Sequence, residues 1–140
     1  MTVEIKSDSQ QLVDHIHQIF QAFLARDRER LRKLHTDDWV GFLGPSDRIE
    51  RGIQDYMRNA DLSLENFKGI AYEILDTEVQ VHGDLGLVFY VATYQYESID
   101  GDKGIIPLRS VDIFKRIDGH WNQSASHISV IPNAGNWGEG

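Results

Sequence analysis

Arg109-Ser110-Val111-Asp112-Ile113-Phe114-Lys115-Arg116-Ile117-Asp118-Gly119-His120-Trp121, followed by Ser126-His127-Ile128-Ser129 and Pro132, is the stretch whose reading decides the fold. β-Branched and aromatic residues flank Asp118-Gly119, a dipeptide suited to the positive φ of a tight turn, so a β-hairpin is predicted here. One Arg, one Asp, one Trp and one His lie along it at spacings that let several face a shared cavity. The build of the turn decides which. A two-residue turn pairs Ile117 with His120 and puts Asp112 on the face of Trp121 and His127. A type I turn with a bulge at Gly119 pairs Arg116 with His120 instead. Arg109 then joins His127, while Asp112 joins Ser124, Ser126 and Ile128.

Upstream, segments rich in Val, Ile, Tyr and Phe run from Ala71, broken at His82-Gly83-Asp84, at Asp100 to Gly104 and at Asp118-Gly119. Four sequential strands joined by hairpins are predicted. Before them, Ser9 can cap a helix whose apolar residues, from Leu12 to Leu24, recur at three- and four-residue steps through about Arg26. Asp27 caps a shorter, charge-laced helix through about His35, with Leu31 and Leu34 as its inward edge. Trp39 to Leu43 reads as a short strand closed by Gly44-Pro45, and Gly52 opens a third helical segment with Ile53, Tyr56 and Met57. Helices first and a strand meander afterwards predict an α+β fold, with the N-terminal helices packed on one face of an antiparallel sheet. Residues 1–140 make one domain, with an ordered core over about 9–132 and a loose tail from Asn133 to Gly140.

Hydrophobic residues at 41% and charged residues at 26% are ordinary for a globular chain of 140 residues. Such a chain buries roughly two-thirds of its unfolded surface. Its formal charge of -8 opposes binding to phosphate backbones and anionic membranes, so neither nucleic acid nor a membrane is an expected partner. The lack of cysteine excludes a disulfide, a thiolate nucleophile and Cys-ligated zinc, and suits a cytoplasmic setting. MTVEIKSDSQQ lacks the basic-then-apolar order of a signal peptide, and no stretch approaches the ~20 apolar residues of a membrane span. No phosphate-loop, dinucleotide, GxSxG or HExxH pattern occurs, so no cofactor and no metal is expected. His15 and His17 sit roughly 200° apart on their helix, too far round to chelate one ion, and read as surface or helix-flank residues. His35, Asp37 and Asp38 read as solvated polar residues at a helix end.

In order and spacing, Gly119-x-Trp121, His127-x-Ser129-x-x-Pro132, Asp84 with Tyr90 and Gln95-Tyr96, and the helix pair from Ala22 to Leu34 resemble the SnoaL-like proteins. That group shares a cystatin-like cone with nuclear transport factor 2, ketosteroid isomerase and scytalone dehydratase. The nearest likeness is to the association domain of calcium/calmodulin-dependent protein kinase II. The resemblance implies a sheet curled around the long helix, a conical pocket, and association through the sheet. The strand Leu85 to Glu97 independently points to a covered sheet, because Leu87, Phe89 and Val91 alternate with Val88, Tyr90 and Tyr94. A homodimer through the sheet face is the expected solution.

In ketosteroid isomerases the position resembling Asp112 holds a protonated, pocket-facing Asp, a case used as a standard example of a carboxyl kept neutral by its site. In the kinase association domain it holds an Arg. Asp112 is therefore expected to face the cavity, against the alternative of a solvated or salt-bridged strand carboxylate. His127 is the second candidate for acid–base work, although a satisfied buried histidine is the commoner role. Arg109 suits either an anionic ligand or an acid at a subunit contact. Trp39, Tyr56, Tyr90 and Tyr94 are candidate pocket liners, with Tyr90 and Tyr94 preferred, though aromatic residues in such segments more often belong to the core. The family patterns are incomplete. Where ketosteroid isomerases place an Asp before a proline, Gly44 precedes Pro45, and the arginine positions of the kinase domain read Ala92, Asp112 and Ile128. The expected function is a small-molecule pocket, as in an isomerase, cyclase or dehydratase acting on an apolar ligand by acid–base chemistry. The alternative is a non-catalytic homo-oligomeric association module.

Overall fold

The computed structural model describes residues 6–44 and 46–131, so Pro45, Pro132 and the tail that follows lie outside the described residues. Helix α1 (Asp8–Leu24) is followed by α2 (Arg28–Lys33), β1 (His35–Phe42), β2 (Glu50–Arg51), α3 (Gly52–Asn66), β3 (Phe67–His82), β4 (Leu85–Ser98), β5 (Lys103–Ile117) and β6 (His120–Val130). The helices pack on one face of a single curved sheet of order β2-β1-β6-β5-β4-β3. The α+β architecture is therefore the one expected. One pairing is not: β1 runs parallel to β6, whereas every other pair is antiparallel.

Helix α1 starts earlier than expected because Ser7, not Ser9, is its N-cap; the Ser7 hydroxyl accepts from the Gln10 amide. Asp8 in its first turn reaches the final hairpin, accepting from Arg116 at 2.8 Å and from the Trp121 indole at 3.3 Å. Asp27 caps α2 as its sequence suggests, accepting from the Arg30 amide. One stripe of α1 (Leu12, Ile16 and Phe20) packs on Val88, Tyr90, Ala92, Phe114 and Trp121 of the sheet. A second stripe (Ile19 and Ala22) joins Leu31, Trp39, Tyr56 and Met57 beneath α2 and α3. Two apolar clusters thus meet along one helix. His15 lies on the buried side of α1 at 6% exposure, against Phe114, which corrects its assignment as a flank residue. His35 is likewise buried, because β1 begins there rather than at Trp39.

The decisive hairpin combines features of both expected registers. Asp118 and Gly119 have φ of 54° and 79°, as a two-residue type I′ turn requires, and Ile117 pairs with His120. Further along, Phe114 pairs with Gln123 but Ile113 pairs with Ala125, so Ser124 is an extra residue in β6. This bulge reverses the alternation that follows it. Asp112 consequently pairs with Ser126, and His127 pairs with Val111.

Candidate functional site

Asp112 projects from β5 to the helix-covered face and is 2% exposed. Its Oδ1 accepts from the Ser110 hydroxyl at 2.6 Å and the Ser126 hydroxyl at 2.8 Å. Its Oδ2 accepts from Gln123 Nε2 at 2.9 Å. Gln123 Oε1 in turn accepts from the Trp39 indole at 2.9 Å. These partners come from β5, β6 and β1, and the parallel β1–β6 pairing brings the last of them within reach.

Burial pushes the Asp112 carboxyl up to about 6, against the smaller opposing effect of the two serine hydroxyls. Two phenols face it. Burial raises both Tyr56 and Tyr90 well above the ordinary tyrosine range, and the neighbouring Asp112 charge raises them further. Both therefore remain protonated at any physiological pH. Tyr90 belongs to the apolar cluster under α1, and Tyr56 and Trp39 to the one under α3, so the carboxyl sits at the seam between them. The chemistry available is one carboxyl that titrates near neutrality beside two phenol donors that do not.

The other expected site residues lie elsewhere. His127 and Arg109 are exposed on the opposite face of the sheet from Asp112: alternation along β5 directs Arg109 there, and the Ser124 bulge directs His127 there, which corrects the register that sets His127 beside Asp112. His127 there packs against Phe42 with ring centroids 5.1 Å apart, and Arg109 Nε donates to the Ser129 hydroxyl at 3.2 Å. An open groove of about 580 Å³ runs along this face past Asp76, Glu78, Phe89, Val91, Arg109 and His127. It is separated from the buried carboxyl by the sheet itself. Tyr94 is on the inner face but six residues further along β4 than Val88, the partner of Asp112. It is half-buried beneath α1, tilted against Phe20 and close to Gly69. The structure thus groups Asp112 with Tyr56, Tyr90 and, through Gln123, Trp39.

Ser110 and Gln123 were not selected from sequence, whereas the bulged register set Ser126 on the face of Asp112. Alternation along β5 sets Ser110 with Asp112 and the two-residue turn sets Gln123 on the same face; only Ser126 needs the bulge. His15 and His35 add a second buried polar feature, since both ring nitrogens of His15 and Nε2 of His35 have no hydrogen-bond partner among the described residues. His35 Nδ1 contacts the Leu31 carbonyl at 2.5 Å, and its ring lies 3.8 Å from that of Tyr56. Burial lowers His15 to about 4 and His35 to about 3, so both are neutral in the native protein at pH 7. Among the described residues no group of three or more His, Asp or Glu side chains is placed to hold a metal ion. None of the described helices is long and apolar enough to cross a membrane.

The SnoaL-like domain profile matches residues 12–133. No curated protein matches the sequence. Among solved structures, one from Xanthomonas campestris assigned to the calcium/calmodulin-dependent protein kinase II association domain has a TM-score of 0.79 at 16% identity, covering 95% of this chain and 94% of that one. A ketosteroid isomerase-like protein from Erwinia carotovora atroseptica gives 0.78 at 18% identity, covering 91% and 98%. A protein from Streptomyces avermitilis assigned as a dehydratase of the NTF2-like family gives 0.76 at 17% identity, covering 89% and 97%. These likenesses establish a shared fold, the cystatin-like cone.

Proposed function

This chain belongs to the SnoaL-like domain family, and from that premise we propose that it is a small-molecule pocket protein in which Asp112 moves a proton on a largely apolar ligand. The observation that carries the proposal is a carboxyl 2% exposed and held by three neutral donors, with no cation among its hydrogen-bond partners in the described residues. Retaining an ionisable group in such a place costs stability, a cost that a role in proton transfer accounts for. Asp112 takes a proton from carbon beside a carbonyl and returns it, while Tyr56 and Tyr90 donate hydrogen bonds to the developing oxyanion. Such chemistry is that of an isomerase, cyclase or dehydratase, and two of the structural neighbours are named in those terms. The reaction requires no cofactor.

A homodimer through the outer sheet face is part of the proposal. That face is ordered by charge: Asp76 and Glu78 on β3, apolar Phe89, Val91 and Val111 on β4 and β5, then Arg109 and His127. A twofold axis through the apolar strip would set each acidic edge against the partner's basic edge. A cytoplasmic setting agrees with the absence of cysteine.

The test is deuterium exchange at carbons beside the carbonyl of one- to four-ring ketones, followed by NMR with wild-type protein and Asp112→Asn. Exchange catalysed by the wild type and lost in the variant supports the proposal. Equal exchange with both proteins removes Asp112 from the chemistry. A second function, association without catalysis, is favoured by the close packing of Trp39, Tyr56 and Tyr90, all at 6% exposure or less. It expects dimerisation but neither exchange nor stabilisation by any ketone.

A further inference from the structure

Of the three side chains that hold the Asp112 carboxyl, two can change role and one cannot. The hydroxyls of Ser110 and Ser126 rotate, so each donates to a carboxylate or accepts from a carboxylic acid as required. A free glutamine amide could also turn over, offering its oxygen in place of its nitrogen. Gln123 is not free to do so. Its oxygen accepts from Trp39 Nε1, an indole nitrogen that can only donate, which commits its amino group to Asp112 Oδ2. Turning the amide over would set the indole N–H against an amino group in a place where Trp39, Gln123 and Asp112 are 0%, 3% and 2% exposed.

We propose that Trp39 and Gln123 are positioning residues that hold the Asp112 carboxyl in its proton-accepting state by fixing the direction of one buried amide. The inference rests on the assignment of Asp112 as the proton-handling group. It also accounts for the placement of three residues on three adjacent strands. The parallel β1–β6 pairing brings Trp39 to Gln123, and the register set by the two-residue turn, which pairs Phe114 with Gln123, puts Gln123 on the face of Asp112. The committed donor leaves one lone pair of Oδ2 for the incoming proton. The titratable groups facing the carboxyl are the phenols of Tyr56 from α3 and Tyr90 from β4; His15 of α1 lies against Phe114, two residues along β5. Burial opposes the ionised form and the two serine hydroxyls support it; the Gln123 amide, 2.9 Å from Oδ2, is the one donor to the carboxyl whose direction is fixed.

The test follows the Asp112 carboxyl carbon by NMR across pH 4–9 in wild type, Trp39→Phe, Gln123→Met and, as a control for loss of a buried tryptophan elsewhere, Trp121→Phe. Trp39→Phe frees the amide to accept from the protonated acid, and Gln123→Met removes the donor, so each is expected to raise the midpoint by about one to two pH units. Trp121→Phe leaves it in place. In the wild type the Trp39 indole N–H resonance is expected to titrate with the same midpoint as Asp112, through the Gln123 amide that joins them. An unchanged midpoint in Gln123→Met overturns the proposal, and so does an indole resonance indifferent to pH. If Trp39→Phe does not fold, Gln123→Met and the wild-type indole titration decide the matter alone. Failure of the Asp112 assignment looks different: the wild-type carboxyl would titrate as an ordinary aspartate while the variants changed nothing.

Discussion

Asp112 in its ionised form is a cost to this fold at neutral pH. A native value of about 6 against an ordinary 3.8 corresponds to about 3 kcal/mol, to order of magnitude. The raised value means that the associated stability is full below about pH 4 and is lost as pH rises through 6. Asp112→Asn keeps a shape that can meet the same donors. It is expected to be more stable than wild type by about 1–3 kcal/mol at pH 7.5, with the advantage gone at pH 4, as read from urea denaturation. Asp112→Ala strands Ser110, Ser126 and Gln123 and is expected to lose about 1–3 kcal/mol relative to Asp112→Asn at any pH. The carboxyl itself was legible in the sequence, because an Asp amid Val111, Ile113 and Phe114 is unusual and sits where related folds place a pocket residue. Its partners were legible only in part: the bulged register joined Ser126 to it, whereas Ser110 and Gln123 carry no sign of burial until the faces of two strands are sorted. His127 showed the same difficulty in reverse, as a prominent residue that one bulge directs outward.

Bulge and turn together determine the site at the level of elements. The Asp118-Gly119 turn could be recognised from its dipeptide, and the three hairpins fell where Gly and Asp cluster. Ser124 could not, because an extra residue in a strand has no compositional mark. The parallel union of β1 with β6 was also hidden, being a contact between segments some ninety positions apart in sequence. It depends on Gly41, where a Cβ would collide with the Ser126 backbone carbonyl and with the Trp39 ring. Gly41→Ala is therefore expected to destabilise the protein by about 2 kcal/mol or more and to disturb the Trp39–Gln123 bond. Gly44→Ala is the matched control: among the described residues its Cβ meets only Val130 at 3.7 Å, an ordinary contact, and the melting temperature should hardly move.

For the molecule as a whole, two buried histidines and one buried carboxyl give opposing responses to acid. His15 and His35 are depressed to about 4 and about 3, so the unfolded chain takes up protons first and stability falls as pH drops below 6.5. Their combined effect is on the order of several kcal/mol and exceeds the gain from Asp112 between pH 6 and 4. Urea midpoints should accordingly decline from pH 6.5 to 4, and His15→Phe should flatten the decline. The outer face gives a separate expectation. Phe89→Glu introduces a charge at the centre of the apolar strip and should abolish the proposed dimer in sedimentation, leaving the fold intact. The cone itself was legible from element order and a few spaced residues. Which face carries the buried carboxyl and which the open groove was not, because β4 is apolar on both sides. The claim on which the rest depends is that Asp112 is a buried carboxyl able to exchange its proton near neutrality, and carbon NMR of that side chain across pH 3–9 in the wild-type protein tests it most directly. A single midpoint near 6 is predicted; a midpoint at or below 4, the behaviour of an ordinary solvated aspartate, would contradict it.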